Sequence, residues 1–155
     1  MNKLTRRHAI SLLAGTAVAM ALPGALMAAP ATKIVVHKTP WCGCCTNWSA
    51  HLREAGFAVT EVKHEDLTPI KQQYGVPAAL EGCHTGVVDG YALEGHVPAE
   101  DIKRLLLERP NAKGLAVAGM PMGSPGMEMG PERDAFDVML FSAVGSTIYA
   151  SYTAL

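Results

Sequence analysis

The pattern of apolar and polar positions divides the chain after its first thirty residues into short alternating elements. Lys33 to His37 is a β-branched run suited to a buried strand. Thr39-Pro40 ends it. From Cys45 onward Trp48, Leu52 and Ala55 recur at helical spacing, and Gly56 is a natural stop. Phe57, Val59 and Glu61 then alternate against Ala58, Thr60 and Val62, which predicts a strand that is at most half buried. Strand, helix and strand in that order need a crossover, so the first two strands are expected to run parallel.

Leu67 to Tyr74 reads as a short helix with Ile70 and Tyr74 towards the sheet, ended by Gly75. A turn or single helical turn is expected over Ala78 to Gly82. Thr85 to Val88 and Tyr91 to Glu94 flank Asp89-Gly90, a strong hairpin signal. Pro98, Glu100 and Asp101 mark a helix start, Ile102, Leu105 and Leu106 form its apolar face, and Pro110 stops it. From Asn111 to Arg133 no period survives and Gly, Pro and Met dominate, so this stretch reads as one long loop. Phe136 to Phe141 and Thr147 to Tyr152, separated by Gly145-Ser146, predict a final hairpin. The order β-α-β-α-β-β-α, with that hairpin added, predicts an α/β fold of three layers on a mixed sheet, thioredoxin-like in topology. Fold analogy of this kind says nothing about activity.

The first thirty residues do not belong to that domain. Lys3, Arg6 and Arg7 form a positive region without an acid, Ala9 to Leu22 is apolar, and small residues with Pro follow to Ala31. Residues 1–31 therefore read as an export signal, with a twin-arginine flavour in Thr5-Arg6-Arg7 and cleavage expected between Ala28 and Ala31. Residues 32–155 read as a single domain of a size that supports one modest core. Such a signal points to the periplasm, where disulfides are allowed and Cys42–Cys45 is the plausible local pairing. Removing the signal takes away three of 13 Lys and Arg and none of 14 Asp and Glu, leaving a net charge near −4. That argues against nucleic acid as a partner and offers no basic surface for anionic lipid.

Chemistry concentrates in two places. Cys42, Cys44 and Cys45 lie within four residues at a strand-to-helix turn, with Gly43 expected to let the turn close around an ion. Thiols there gain from the unpaired N–H groups and dipole of the helix, which favour thiolate. Cys83 and His84 stand immediately before the third strand, which the topology brings beside that turn. Cys83 reads as a ligand, a disulfide partner or a core cysteine, and His84 as a ligand or a group tuning one. The second place is the loop, where Met120-Pro121-Met122 and Met127-Glu128-Met129 are framed by Gly119, Gly123, Gly126 and Gly130. Thioether binds Cu(I) and Ag(I) well and zinc poorly, and Gly and Pro deny these methionines the helical stripe that would simply fill a core. Of the other candidates, Trp41 is expected to shield the first thiol, His96 to cap the last helix with ligation as the second alternative, and His37 to lie at a core or edge position within reach of the cluster. His51 and His64 are expected on exposed faces.

Three readings follow. The first is a Cu(I)-binding protein for sequestration or delivery, with Zn(II) or Ag(I) as other metals and a periplasmic copper donor or acceptor protein as partner. The second is a thiol–disulfide oxidoreductase using Cys42 and Cys45, although Cys44 would compete for any mixed disulfide. The third is a zinc- or disulfide-stapled interaction domain. No Ser-His-Asp set, phosphate-cradling glycine loop or spaced carboxylate pair points to a hydrolase.

Cys42-Gly43-Cys44-Cys45, Gly75-Val76-Pro77, Cys83-His84-Thr85, Glu94-Gly95-His96-Val97-Pro98 and Gly119-Met120-Pro121 through Met129 together resemble the bacterial domain-of-unknown-function family numbered 411. The resemblance covers nearly all of Lys33 to Tyr152. It implies a thioredoxin-like fold and a periplasmic metal-binding role linked to copper resistance, and it implies no established catalytic mechanism.

Overall fold

A computed structural model describes residues 30–155. The export signal expected over residues 1–31 lies almost wholly outside them. Among the described residues no helix is long and apolar enough to cross a membrane.

Strand β1 (Lys33–Lys38) turns Ile34 and Val36 to one face and Val35 and His37 to the other. Helix α1 (Gly43–Glu54) follows and buries Cys45, Trp48, Ser49 and Leu52, one stripe at helical spacing. Strand β2 (Ala58–Lys63) lies parallel to β1, with Lys33 opposite Ala58 and Lys38 opposite Lys63. Asp66 accepts a hydrogen bond from the Thr68 N–H, 2.8 Å, at the start of helix α2 (Thr68–Tyr74), and Gly75 ends that helix in the left-handed region. A single 3-10 turn over Ala78–Leu80 leads to strands β3 (His84–Val88) and β4 (Tyr91–Glu94). Their two-residue turn has positive φ at both Asp89 and Gly90, the backbone that the Asp-Gly pair favours. Helix α3 (Ala99–Glu108), then β5 (Gly114–Ala116), β6 (Phe136–Ser142) and β7 (Gly145–Tyr152) complete the chain.

The seven strands form one sheet in the order β2-β1-β3-β4-β5-β6-β7. The pairs β1/β2 and β4/β5 are parallel and the other four antiparallel, so the sheet is mixed and the β-α-β-α-β-β-α order holds. One face carries the main core: Ile34 and Val36 from β1, Leu93, Leu115 and Val138 from the later strands, Trp48 and Leu52 from α1, and Ile102 and Leu105 from α3. Each large apolar side chain so buried contributes roughly 1.5–3 kcal/mol. The other face carries a smaller cluster of Val76, Ala92, Ala116 and Phe141, with Tyr74 and Leu80 against it. Two helices on one side and α2 on the other make three layers.

Three expectations are corrected. The stretch 111–133 is not all loop: Gly114–Ala116 is a strand between β4 and β6. Three residues are too few to show a period, and Gly114 hides the signal because a Cβ there would lie 1.9 Å from the Ala92 carbonyl oxygen. The last hairpin turns at Ala143-Val144, and Gly145-Ser146 already belongs to β7. In α2 Tyr74 packs on the sheet as expected, but the buried residue is Lys71, and Ile70 is half-buried.

Lys71 is buried because it has a partner. Its ammonium donates to the carboxylate of fully buried Glu94 and, at 3.1 Å, to the Gly82 carbonyl. Glu94 also accepts the Gly82 N–H at 2.7 Å and the Thr85 hydroxyl at 2.6 Å, so its charge is satisfied from three sides. Lys71→Met strands that carboxylate, and the expected cost is about 3–5 kcal/mol in urea unfolding. An unchanged urea midpoint contradicts this account of the pair.

Candidate metal centre

The first turn of α1 holds three sulfurs. Cys42 is the residue before the helix, and no side-chain cap engages the free N–H groups there. A Cys42–Cys45 disulfide closes the turn, with Cα atoms 5.4 Å apart. Cys44 Sγ stands 3.5 Å from Cys42 Sγ and keeps a free thiol. The antiparallel register that sets Lys38 opposite His84 brings the residue before β3 beside the segment that follows β1. Cys83 Sγ accordingly lies 3.6 Å from both Cys44 Sγ and Cys45 Sγ. All four sulfurs fall within 4.8 Å of one another.

Cys83 has two further neighbours. His84 Nδ1 and His96 Nε2 each stand 3.3 Å from its sulfur, and both imidazoles are fully buried. The Nδ1 of His96 lies 2.8 Å from the Pro125 carbonyl oxygen, which can only accept. Nδ1 therefore carries the proton, and the Nε2 lone pair faces the sulfur. His84 packs its ring on Trp48, centroids 4.3 Å apart, and its buried Nε2 has no hydrogen-bond partner. Burial, then His96, holds the His84 pKa well below the ordinary imidazole value, and burial also lowers that of His96. Both rings are thus neutral donors. Burial, then Cys44, pushes the Cys83 thiol up to about 12.

The backbone allows this approach only at particular glycines. A Cβ on Gly82 would come within 2.7 Å of the Gly95 Cα, so the segments bearing Cys83 and His96 touch main chain to main chain. Gly126, at φ 86°, seats the methionine loop on α1: a Cβ there would lie 2.6 Å from the Trp48 nitrogen and 2.9 Å from the Cys44 carbonyl oxygen. Pro125 and Gly126, backbone rather than thioether, are what the loop lays over the cluster. Met127 is half-buried, while Met120, Met122 and Met129 are 55%, 40% and 79% exposed. Met120 lines a surface groove with Leu80, Asp134 and Met139.

Several sequence expectations change here. Gly43 has open space where a Cβ would go, so the turn does not need a glycine there. Trp41 is 69% exposed and stands out in solvent. His51, not His96, caps α3, its Nε2 accepting the Ala99 N–H at 3.2 Å. His37 pairs with His64, Nδ1 to Nε2 at 2.8 Å, so neither is a simple core or surface residue. His96 is the functional side chain given too little weight, and the signal for it was present. A two-residue turn at Asp89-Gly90 sets Thr85 opposite Glu94, and two steps further along the same register set Cys83 opposite His96.

Residues 80–127 match the family described as "Protein of unknown function, DUF411", a span that includes Cys83, His84 and His96. Two solved structures, titled Copper resistance protein copG, Form 1 and Form 2, share 46% sequence identity with this chain. Each comparison covers 79% of this chain and 98% of the other, at TM-scores of 0.76 and 0.75. The chain belongs to the DUF411 family. No curated protein matches it.

In this DUF411 chain the donors form two overlapping sets that share one atom. Cys42, Cys44, Cys45 and Cys83 make one, and Cys83, His84 and His96 the other. Thiolates and neutral imidazoles suit Cu(I) and Zn(II). His84 Nδ1 and the Nε2 lone pair of His96, both turned to Cys83 Sγ from fully buried rings, fit a group that accepts electron density. A metal there would displace the Cys83 proton, and the disulfide must take up two electrons before Cys42 and Cys45 can ligate as thiolates.

Denatured without reductant, the protein is expected to yield two reactive thiols, and after reduction four. In the folded protein, alkylation of Cys83 should keep rising with pH towards about 12, because burial keeps its thiol protonated beyond the ordinary range. A rate that levels off near pH 9, the ordinary thiol value, contradicts that placement.

Proposed function

We propose that this protein is a periplasmic Cu(I)-binding protein that sequesters or delivers copper. Its ligands are drawn from Cys42, Cys44, Cys45 and Cys83, with His84 and His96 completing or tuning the site. The observation that carries the reading is the convergence of two sulfurs and two imidazole nitrogens on Cys83 Sγ at 3.3–3.6 Å. The copper titles of the two relatives support the metal, and the amino-terminal sequence supports the compartment. Ag(I) shares the preference for such donors, whereas Zn(II) gains less from the loop thioethers. Met120, Met122, Met127 and Met129 act as auxiliary or transient ligands at the surface of the loop. A donor or acceptor protein for copper completes the route.

The Cys42–Cys45 bond in a Cys-x-x-Cys at a helix start favours a second reading, thiol–disulfide exchange. Cys44 at 3.5 Å from Cys42 and Cys83 at 3.6 Å from Cys45 weigh against it, since each offers an internal exit for a mixed disulfide. Insulin reduction that proceeds without metal and needs both Cys42 and Cys45 would favour the exchange reading.

Anaerobic titration of the reduced protein against a Cu(I) chelator tests the first reading. Replacing Cys42 and Cys45 together by Ser is expected to lower Cu(I) affinity at least a hundredfold, and His96→Ala by about 10–100-fold, the range found for groups that tune a metal site. Native affinity in the double variant would sink the copper reading.

A further inference from the structure

A second group of donors lies on the other face of the sheet. His37 is the last residue but one of β1, and His64 follows the last residue of β2. The strands are parallel, so both imidazoles stand at the same end of the sheet, the end at which β1 runs on to Cys42. The His64 N–H donates to the Lys38 carbonyl at 2.9 Å, which fixes the turn that presents its ring. Side-chain alternation places His37 with Val35, away from Ile34, Val36 and α1. Lys38 falls on the opposite face, where it binds Thr46 of α1 and pairs with Glu61. Lys63 falls on that face as well, by alternation with Glu61. Neither flanking ammonium therefore shares the face of the imidazole pair. Across β1/β3, His37 stands opposite Thr85, whose hydroxyl is committed to Glu94.

The two rings are in direct contact, Nδ1 of His37 to Nε2 of His64 at 2.8 Å, with centroids 5.0 Å apart. Metal–imidazole bonds are about 2.0 Å long, so two nitrogens at right angles about one ion stand about 2.8 Å apart, and two at the tetrahedral angle about 3.3 Å. That separation is an N–H···N hydrogen bond between the two rings, and it also matches two adjacent positions of a square-planar or tetragonal ion, the geometry of Cu(II) with nitrogen and oxygen ligands, so an entering ion would displace the shared proton. Both residues are half-buried, which leaves the remaining positions open to water.

We propose that His37 and His64 form a second metal site, which takes Cu(II) and is separate from the thiol cluster. The preference for copper over other divalent ions rests on the Cu(I) reading above; the imidazole pair and its geometry do not. One chain would thus offer soft sulfurs to the reduced ion and borderline nitrogens to the oxidised one.

The test fills the thiols of the reduced protein with Ag(I), which is redox-silent towards them, and then titrates with Cu(II) under nitrogen. The expected result is one tetragonal Cu(II) electron paramagnetic resonance signal per chain, with hyperfine splitting from two imidazole nitrogens. His37→Gln and His64→Gln should each remove that splitting and weaken binding at least tenfold, while Ag(I) loading stays native and shows that the variants are folded. For the unsubstituted protein, Cu(II) at a fraction of an equivalent should broaden the His37 and His64 imidazole resonances before that of His51. A signal that survives in both variants, early broadening at His51, or no stoichiometric Cu(II) overturns the proposal. Failure of Ag(I) to load counts against the thiol reading alone; the thiols are then alkylated, and the same titration still decides the histidine pair.

Discussion

The carboxylate of Glu94 is the fixed point of this molecule. It lies wholly out of water at the end of β4 and is held by Lys71 from α2, the Gly82 N–H and the Thr85 hydroxyl from β3. A buried charge is tolerated only when its partners satisfy it, so these four groups have little freedom to separate. Gly82 immediately precedes Cys83, and Gly95, which a Cβ on Gly82 would strike, immediately precedes His96. The ion pair thereby sets the distance between the two segments that carry the most buried donors.

That distance explains the chemistry of the centre. Cys83 and the imidazoles of His84 and His96 sit where charge is costly, so the thiol keeps its proton and both rings stay neutral. A site of neutral, polarizable donors favours a soft cation that supplies charge as the proton leaves. The first turn of α1 adds the Cys42–Cys45 disulfide and the free thiol of Cys44 beside it. Above them the loop lays main chain rather than thioether, through the Pro125 carbonyl bound to His96 and through Gly126 on the first turn of α1. His96 is thereby aimed from behind, since one nitrogen is tied to the loop and the other faces Cys83.

The six residues of β1 place donors on both faces of the sheet. Ile34 and Val36 anchor it in the main core, Lys38 binds Thr46 on α1, and the chain then runs into Cys42. His37, one step out of phase, meets His64 on the face of α2. A one-residue shift in register would exchange these faces, burying His37 and exposing the apolar pair. Position along one strand therefore separates a sulfur-rich centre on one side of the sheet from a nitrogen pair on the other.

The sequence alone determined the order of elements, because hydrophobic period, Gly56, Gly75, Asp89-Gly90 and Pro110 are local signals that act within a few residues. It also located the thiol cluster, since three cysteines in four residues at a helix start need no tertiary information to be noticed. It even held the pairing of Cys83 with His96, which follows by counting outward from Asp89-Gly90. Tertiary structure decided what no local pattern encodes. Three-residue β5 exists only because β4 and β6 flank it, and Lys71 is buried only because Glu94, distant in sequence, lies beneath it. The same holds for the roles of the histidines. His37, His51, His84 and His96 differ little in their sequence surroundings, and burial, tautomer and partner, all fixed by strand register and helix packing, make one a cap, two buried donors and one half of a pair.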